Sequence, residues 1–290
     1  MHGTFPSGET ARPSTPRRRS GPLKTLSPFR YPGGKSWFVP AFREWLATGE
    51  GISTLVEPFA GGAVVVLSCL AADERLHGAM CERDERVAAV WSVALASSDD
   101  EFEALADAIL RFDLTRDSAA ACLSDEPANR VELAFQTILR NRVNRGGIIA
   151  RRGGLLRNGE RNMGIASRWY PDTLVARLRG VRALAGRLEF VHGDGFDLIR
   201  RFASDPTAAF FVDPPYTAGG KRAGARLYTH STLDHAKLFE ECAGVRGPVM
   251  MTYDDAPEVR DLASANGFSV EPVAMRNANH QRMSELAITR

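Results

Sequence analysis

The run Leu55-Val56-Glu57-Pro58-Phe59-Ala60-Gly61-Gly62 constrains the fold more than any other stretch of the chain. Ile52 to Glu57 reads as a short strand that runs into a proline, which cannot donate to a sheet ladder. The glycines after it let the backbone approach a ligand and expose the N-terminus of a helix, and Ala63 to Leu70 is apolar and helix-compatible. A second strand, Gly78 to Glu82, ends on an acid, and a helix through Val87, Val90 and Trp91 follows. Strand, glycine turn, helix and strand with a terminal acid is the opening of a doubly wound nucleotide-type α/β fold. In that fold Glu82, or Asp84 beside it, can accept hydrogen bonds from both hydroxyls of a ribose.

The alternation then breaks off. Glu101 to Phe112 and Asn129 to Asn141 each place apolar residues on one helical face, and no buried strand is evident from about 95 to 170. Strands resume at Leu188–His192, Ala208–Val212 and Pro248–Thr252, and the segments 268–273 and 285–288 can close the sheet. The expected organisation is a catalytic α/β domain over 23–95 and 171–290, interrupted by a mainly helical insert over 96–170. Residues 1–22 are rich in Pro, Ser, Thr, Gly and Arg and carry almost no apolar content, so they read as a disordered basic arm.

Net charge is only +2, so its distribution matters more than its total. Arg140, Arg142, Arg145, Arg151, Arg152, Arg157, Arg161 and Arg168 crowd the end of the insert, with Glu160 as the single acid. A cation cluster on a balanced chain points to a local anionic partner, nucleic acid first. No apolar run approaches the roughly 20 residues that span a bilayer. Cys69, Cys81, Cys122 and Cys242 are scattered, which argues against a disulfide framework or a zinc site and fits a reducing cytoplasm.

Two further segments carry chemistry. Asp213-Pro214-Pro215-Tyr216 follows the apolar strand 208–212 directly. The prolines fix the backbone and remove two donors, leaving carbonyls to accept from a ligand. The Asp213 carboxylate and Pro214 carbonyl could hold both hydrogens of a planar exocyclic amine, and turn its lone pair toward a methyl donor. Tyr216 could stack on the base, a contact worth about 1–3 kcal/mol. In Tyr31-Pro32-Gly33-Gly34-Lys35 a lysine behind two glycines suits an anionic group, and the spacing is not that of a phosphate-binding P-loop.

In order along the chain stand PFRYPGGKSW (28–37), LVEPFAGGA (55–63), CERD (81–84), HGDGF (192–196) and FFVDPPY (210–216). This ordered set, over roughly residues 27 to 290, resembles the Dam family of DNA adenine-N6 methyltransferases. The resemblance implies a Rossmann-like class I methyltransferase sheet with helices on both faces, and S-adenosylmethionine as cofactor. It implies that Tyr31, Gly34, Lys35, Glu57, Pro58, Phe59, Ala60, Gly61, Gly62, Glu82, Asp194 and Asp213 surround the cofactor. Asp213, Pro214, Pro215 and Tyr216 would then hold the target adenine. The insert resembles a target recognition domain for duplex DNA, with Arg140, Asn141, Arg142, Arg145, Arg151 and Arg152 as candidate DNA contacts. No metal is implied, and a cytoplasmic, nucleoid-associated monomer or weak dimer, bacterial or phage-encoded, is expected. The glycine loop departs from many methyltransferases in carrying Ala63. The competing readings are an RNA base methyltransferase, a DNA cytosine-N4 methyltransferase, and an inactive DNA-binding regulator on the same scaffold.

Overall fold

Among the described residues, seven strands form one sheet in the order β3-β2-β1-β4-β5-β7-β6. They are β1 (Thr54–Glu57), β2 (His77–Glu82), β3 (Leu188–His192), β4 (Ala208–Val212), β5 (Val249–Asp254), β6 (Ser269–Arg276) and β7 (Arg282–Thr289). The structure is a computed structural model and describes residues 25–30, 34–147, 149, 154–159, 162, 164–215, 233–276 and 282–290. β1 to β5 are mutually parallel, and β7 runs antiparallel between β5 and β6. This is the Rossmann-like α/β sheet, with helices on both faces, that the sequence leads one to expect.

The period-2 alternation of each central strand sorts its side chains onto two cores. Leu55, Met80, Phe211, Met250 and Ala287 point to one face; Val56, Ala79, Phe210, Val212, Met251 and Leu286 point to the other. The first face is covered by α1 (Val39–Leu46), α2 (Val64–Leu70) and α3 (Glu85–Ala96), whose Trp91 is fully buried. The second is covered by α8 (Gly195–Phe202), α9 (His235–Ala243) and α10 (Pro257–Ala265).

The insert consists of α4 (Asp99–Arg111), α5 (Arg116–Ser124) and α6 (Arg130–Val143), and α7 (Pro171–Arg182) leads back to β3. α4 starts where Ser98 and Glu101 close a reciprocal capping box, and α6 where Asn129 accepts from the Glu132 N–H. α5 escapes a reading by apolar periodicity because its inward residues are small, and Ala119 is its one buried side chain. Phe102, Leu105 and Ile109 of α4, with Ala134, Ile138 and Leu139 of α6, lie in the same buried cluster as Leu55 and Met80. The insert therefore shares the sheet's core, and 96–170 marks a change of topology within that core. Its one described piece of β-structure is an isolated bridge between Asn144 and Leu155.

Candidate active site

The chain winds from β1 to β2 and β3 on one side, then returns to build β4 and β5 on the other. The carboxyl ends of β1 and β4 therefore flank a topological switch point, where open α/β sheets bind their ligands. Strand parity decides what points into that crevice. Glu57 is two residues beyond Leu55, Glu82 two beyond Met80, Asp213 two beyond Phe211, and Thr252 two beyond Met250, so all four share the face of the first core. β7 runs the other way and contributes Glu285, two residues before Ala287, at the same end and on the same face.

These groups meet around Lys35, which a short 3-10 turn (Lys35–Trp37) carries over the sheet edge. Its ammonium lies 3.0 Å from Asp213 Oδ1 and 3.5 Å from Glu285 Oε2. The Thr252 hydroxyl donates to the same Asp213 Oδ1 at 2.7 Å. Lys35 is 2 % exposed, and its burial works against the charged form. The adjoining Asp213 and Glu285 carboxylates outweigh that and hold its pKa above the ordinary lysine value. Burial pushes Glu285 up to about 7, with Lys35 opposing the rise and Asp213 and Asp254 adding to it.

The loop after β1 is tightly held. Gly61 and Ala63 adopt positive φ of 46° and 49°, a cost for alanine that the turn imposes. The Ala60 N–H donates to Cys81 O at 2.9 Å, and Trp91 Nε1 donates to Gly61 O at 3.0 Å. A Cβ on Gly195 would stand 2.4 Å from Pro58 O, so α8 begins in direct contact with the loop, and Phe59 and Phe196 meet edge to face. Ala63 offers α2 no side-chain cap, and Glu57 takes over by accepting the Val66 N–H at 2.8 Å. Burial, reinforced by Asp213, pushes the Glu57 carboxyl up to about 8 although the Val66 bond opposes it. Glu82 accepts from Gly61 N at 2.9 Å and Asp84 N at 2.8 Å, and burial pushes it up to about 7. Asp84 caps α3 and Asp194 caps α8 through the Phe196 N–H.

Gly34, Lys35, Glu57 to Gly62, Glu82, Asp194 and Asp213 to Pro215 thus gather at the carboxyl edge of the sheet. Tyr31, Tyr216, Arg151 and Arg152 lie outside the described residues. Lys35, expected beside an anionic group, has its ammonium engaged by two of the protein's own carboxylates, Asp213 and Glu285.

Arg140, Asn141 and Arg142 correct one expectation, because α6 turns all three inward, at 5 %, 0 % and 5 % exposure. Arg140 donates to Leu123 O and Arg142 to Pro28 O. Asn141 accepts from Arg30 N at 2.8 Å and donates to Arg30 O and Gly147 O, both at 2.9 Å. Asn141 and Arg142 clamp the segment that leads to Lys35, while Arg140 reaches α5; among the six residues expected at DNA, Arg145 is described as exposed. Tyr253 is fully buried in the second core with its hydroxyl 3.0 Å from His235 Nδ1. Thr252 and Glu285 escape a sequence reading, since only strand register shows that they reach Asp213.

The site is acidic around one buried cation. Carboxylates at strand ends suit ribose hydroxyls and a cationic ligand, so the residues present fit a sulfonium nucleoside such as S-adenosylmethionine. Burial pushes the Cys69, Cys81 and Cys242 thiols up to about 12, which leaves them poor nucleophiles. Among the described residues no group of three or more His, Cys, Asp or Glu could hold a metal ion, and no helix is long and apolar enough to cross a membrane.

No family model and no curated protein matches the chain. Solved structures similar to it include an S-adenosylmethionine-dependent methyltransferase from Agrobacterium tumefaciens, at 9% identity and a TM-score of 0.40, covering 88% of this chain and 60% of that one. Another is the rRNA methyltransferase aviRa from Streptomyces viridochromogenes, at 14% identity and a TM-score of 0.39, covering 94% and 93%. A third is an O-methyltransferase family protein from Burkholderia thailandensis, at 11% identity and a TM-score of 0.37, covering 88% and 55%. Resemblance this loose says nothing about a substrate.

Proposed function

We propose that this protein transfers a methyl group from S-adenosylmethionine to the exocyclic N6 amine of adenine in duplex DNA. The observation that carries the reading is Asp213, at the switch-point end of β4, with Lys35 and Thr252 both bound to its Oδ1 and Pro214 and Pro215 behind it. An adenine amine is a weak nucleophile because its lone pair is delocalised into the ring. Asp213 and the Pro214 carbonyl accept its two hydrogens and turn the lone pair out of the ring plane. Pro214 has no N–H to compete for those acceptors.

S-adenosylmethionine, when bound, supplies an electrophilic methyl on sulfur. Glu82 holds the ribose hydroxyls, and the Pro58–Gly62 loop bounds the crevice beside them. Tyr216, by its place in the sequence, stacks on the base. The target adenine leaves the duplex to reach this site, because its amine is inaccessible inside the stack. Catalysis is then positioning and electrostatics, without a covalent enzyme adduct.

DNA as the source of the base is supported by Arg145, which stands exposed beyond α6 where a phosphate can reach it. The test follows labelled methyl transfer from S-adenosylmethionine to duplex DNA from a methylation-deficient host, and to RNA. Transfer to DNA that disappears in Asp213→Ala is expected. Equal signal from both proteins, or signal with RNA alone, refutes the reading.

A further inference from the structure

Lys35 is held by a second carboxylate from the opposite end of the chain, and catalysis as described above makes no use of it. Glu285 enters from β7, where the register sets it opposite Asp254 of β5 and Val273 of β6. It is 5 % exposed, and its Oε2 lies 3.5 Å from the Lys35 ammonium. Burying a carboxylate costs several kcal/mol unless a partner offsets it, and the cation beside it is Lys35. The titratable groups facing it are Lys35 on the 3-10 turn, Asp213 at the end of β4 and Asp254 on β5, and Asp213 in turn acts on Glu57 of β1.

We propose that Glu285 is a positioning residue: it anchors the Lys35 ammonium from behind, so that Lys35 holds the Asp213 carboxylate in the orientation that receives the substrate amine. The inference rests on the methyl-transfer reading of Asp213 and adds to it. Lys35 sits closer to Asp213 than to Glu285, at 3.0 Å against 3.5 Å, so the ammonium leans on Asp213 while Glu285 limits its swing. With Glu285 ionised, two carboxylates face one ammonium, so Lys35 is not paired with Asp213 alone. Without Glu285 the lysine loses a partner and gains freedom to turn, which loosens Asp213 at the moment of attack.

The experiment compares wild type, Glu285→Gln and Glu285→Asp as full-length chains. Gln keeps the length and removes the charge; Asp keeps the charge at shorter reach. Methyl transfer to unmethylated duplex DNA is followed under saturating cofactor from pH 6 to 9, with melting and cofactor binding measured on the same samples. Misplacing a catalytic group by about 1 Å costs on the order of 100-fold. Glu285→Gln is expected to lose kcat on that scale, with cofactor Kd and melting close to wild type and the pH profile displaced. Glu285→Asp recovers part of the loss.

A second readout needs no activity: acetylation of Lys35 by acetic anhydride, measured by mass spectrometry against the exposed Lys237. Loss of the anchoring charge should raise Lys35 labelling several-fold in Glu285→Gln. Wild-type kcat and pH profile in Glu285→Gln, or unchanged Lys35 labelling, overturns the proposal. If labelling rises but wild type methylates no DNA, the Glu285–Lys35 anchor stands and the assigned reaction fails.

Discussion

Glu57 and Glu82 end neighbouring strands on the same face of the sheet, yet their carboxyls serve different ends. Glu57 is 3 % exposed and caps α2, and its pKa of about 8 stands above the ordinary 4.5. A raised folded-state pKa means that its contribution to stability is full below about 4.5 and is lost as pH rises through about 8. Glu57→Gln keeps an oxygen for the Val66 N–H and removes the titration. It should melt like wild type near pH 5 and above wild type at pH 9, by on the order of a few kcal/mol from a shift this large. Thermal or urea melts at the two pH values decide it.

Glu82 accepts hydroxyls best when ionised, and its pKa is about 7. S-adenosylmethionine should therefore bind more tightly as pH rises from 6 to 8, by calorimetry. Glu82→Gln should remove that dependence and weaken binding by about 10-fold or more, the scale of a hydrogen bond to a charged group.

Among the elements, α6 does something that its arginine content disguises. Arg140, Asn141 and Arg142 occupy successive positions at its buried end, and their polar groups end on the backbone of Leu123, Arg30, Gly147 and Pro28. The helix thereby ties the insert to the segment that delivers Lys35. Gly147 belongs to the same joint: its φ is 74°, and a Cβ would stand 2.5 Å from Arg30 O. Asn141→Ala should remove this partner from the part-buried Arg30 backbone groups and the buried Gly147 carbonyl, and cost about 1–3 kcal/mol for each group left unsatisfied. Denaturant titration measures that cost. Methyl transfer should fall along with stability, because Lys35 follows five residues after Arg30. A variant with wild-type stability would mean that water or another side chain replaces the amide.

Over the whole molecule, charge near neutrality coexists with a basic end of the insert, so attraction to DNA should be local and salt-sensitive. Arg145 is the exposed member of the expected DNA-contacting set among the described residues. Arg145→Ala should weaken DNA binding across sequences and reduce the slope of log K against log salt by about 1, the signature of one lost phosphate contact. Fluorescence anisotropy at several salt concentrations would show it, and an unchanged slope would remove Arg145 from the phosphate-binding surface.

Much of this was legible in the sequence, because strands, glycine turns and caps are local. Leu55 to Glu57 alternates faces wherever it is placed, Gly61 relaxes the turn that follows, and Asp213 precedes two prolines in any fold. These features determined the α/β class and the strand, glycine turn and helix that open the sheet. α5 stayed hidden because small inward residues carry no strong period. Only the tertiary structure decided which groups meet across the sheet. Glu285 and Thr252 lie far along the chain from Lys35, and the antiparallel entry of β7 brings Glu285 to its ammonium. Likewise, Arg140 and Arg142 read as surface cations until the rotation of α6 buries them. Local residue chemistry sets conformation and parity, whereas burial and charge pairing depend on long-range register that no single segment contains.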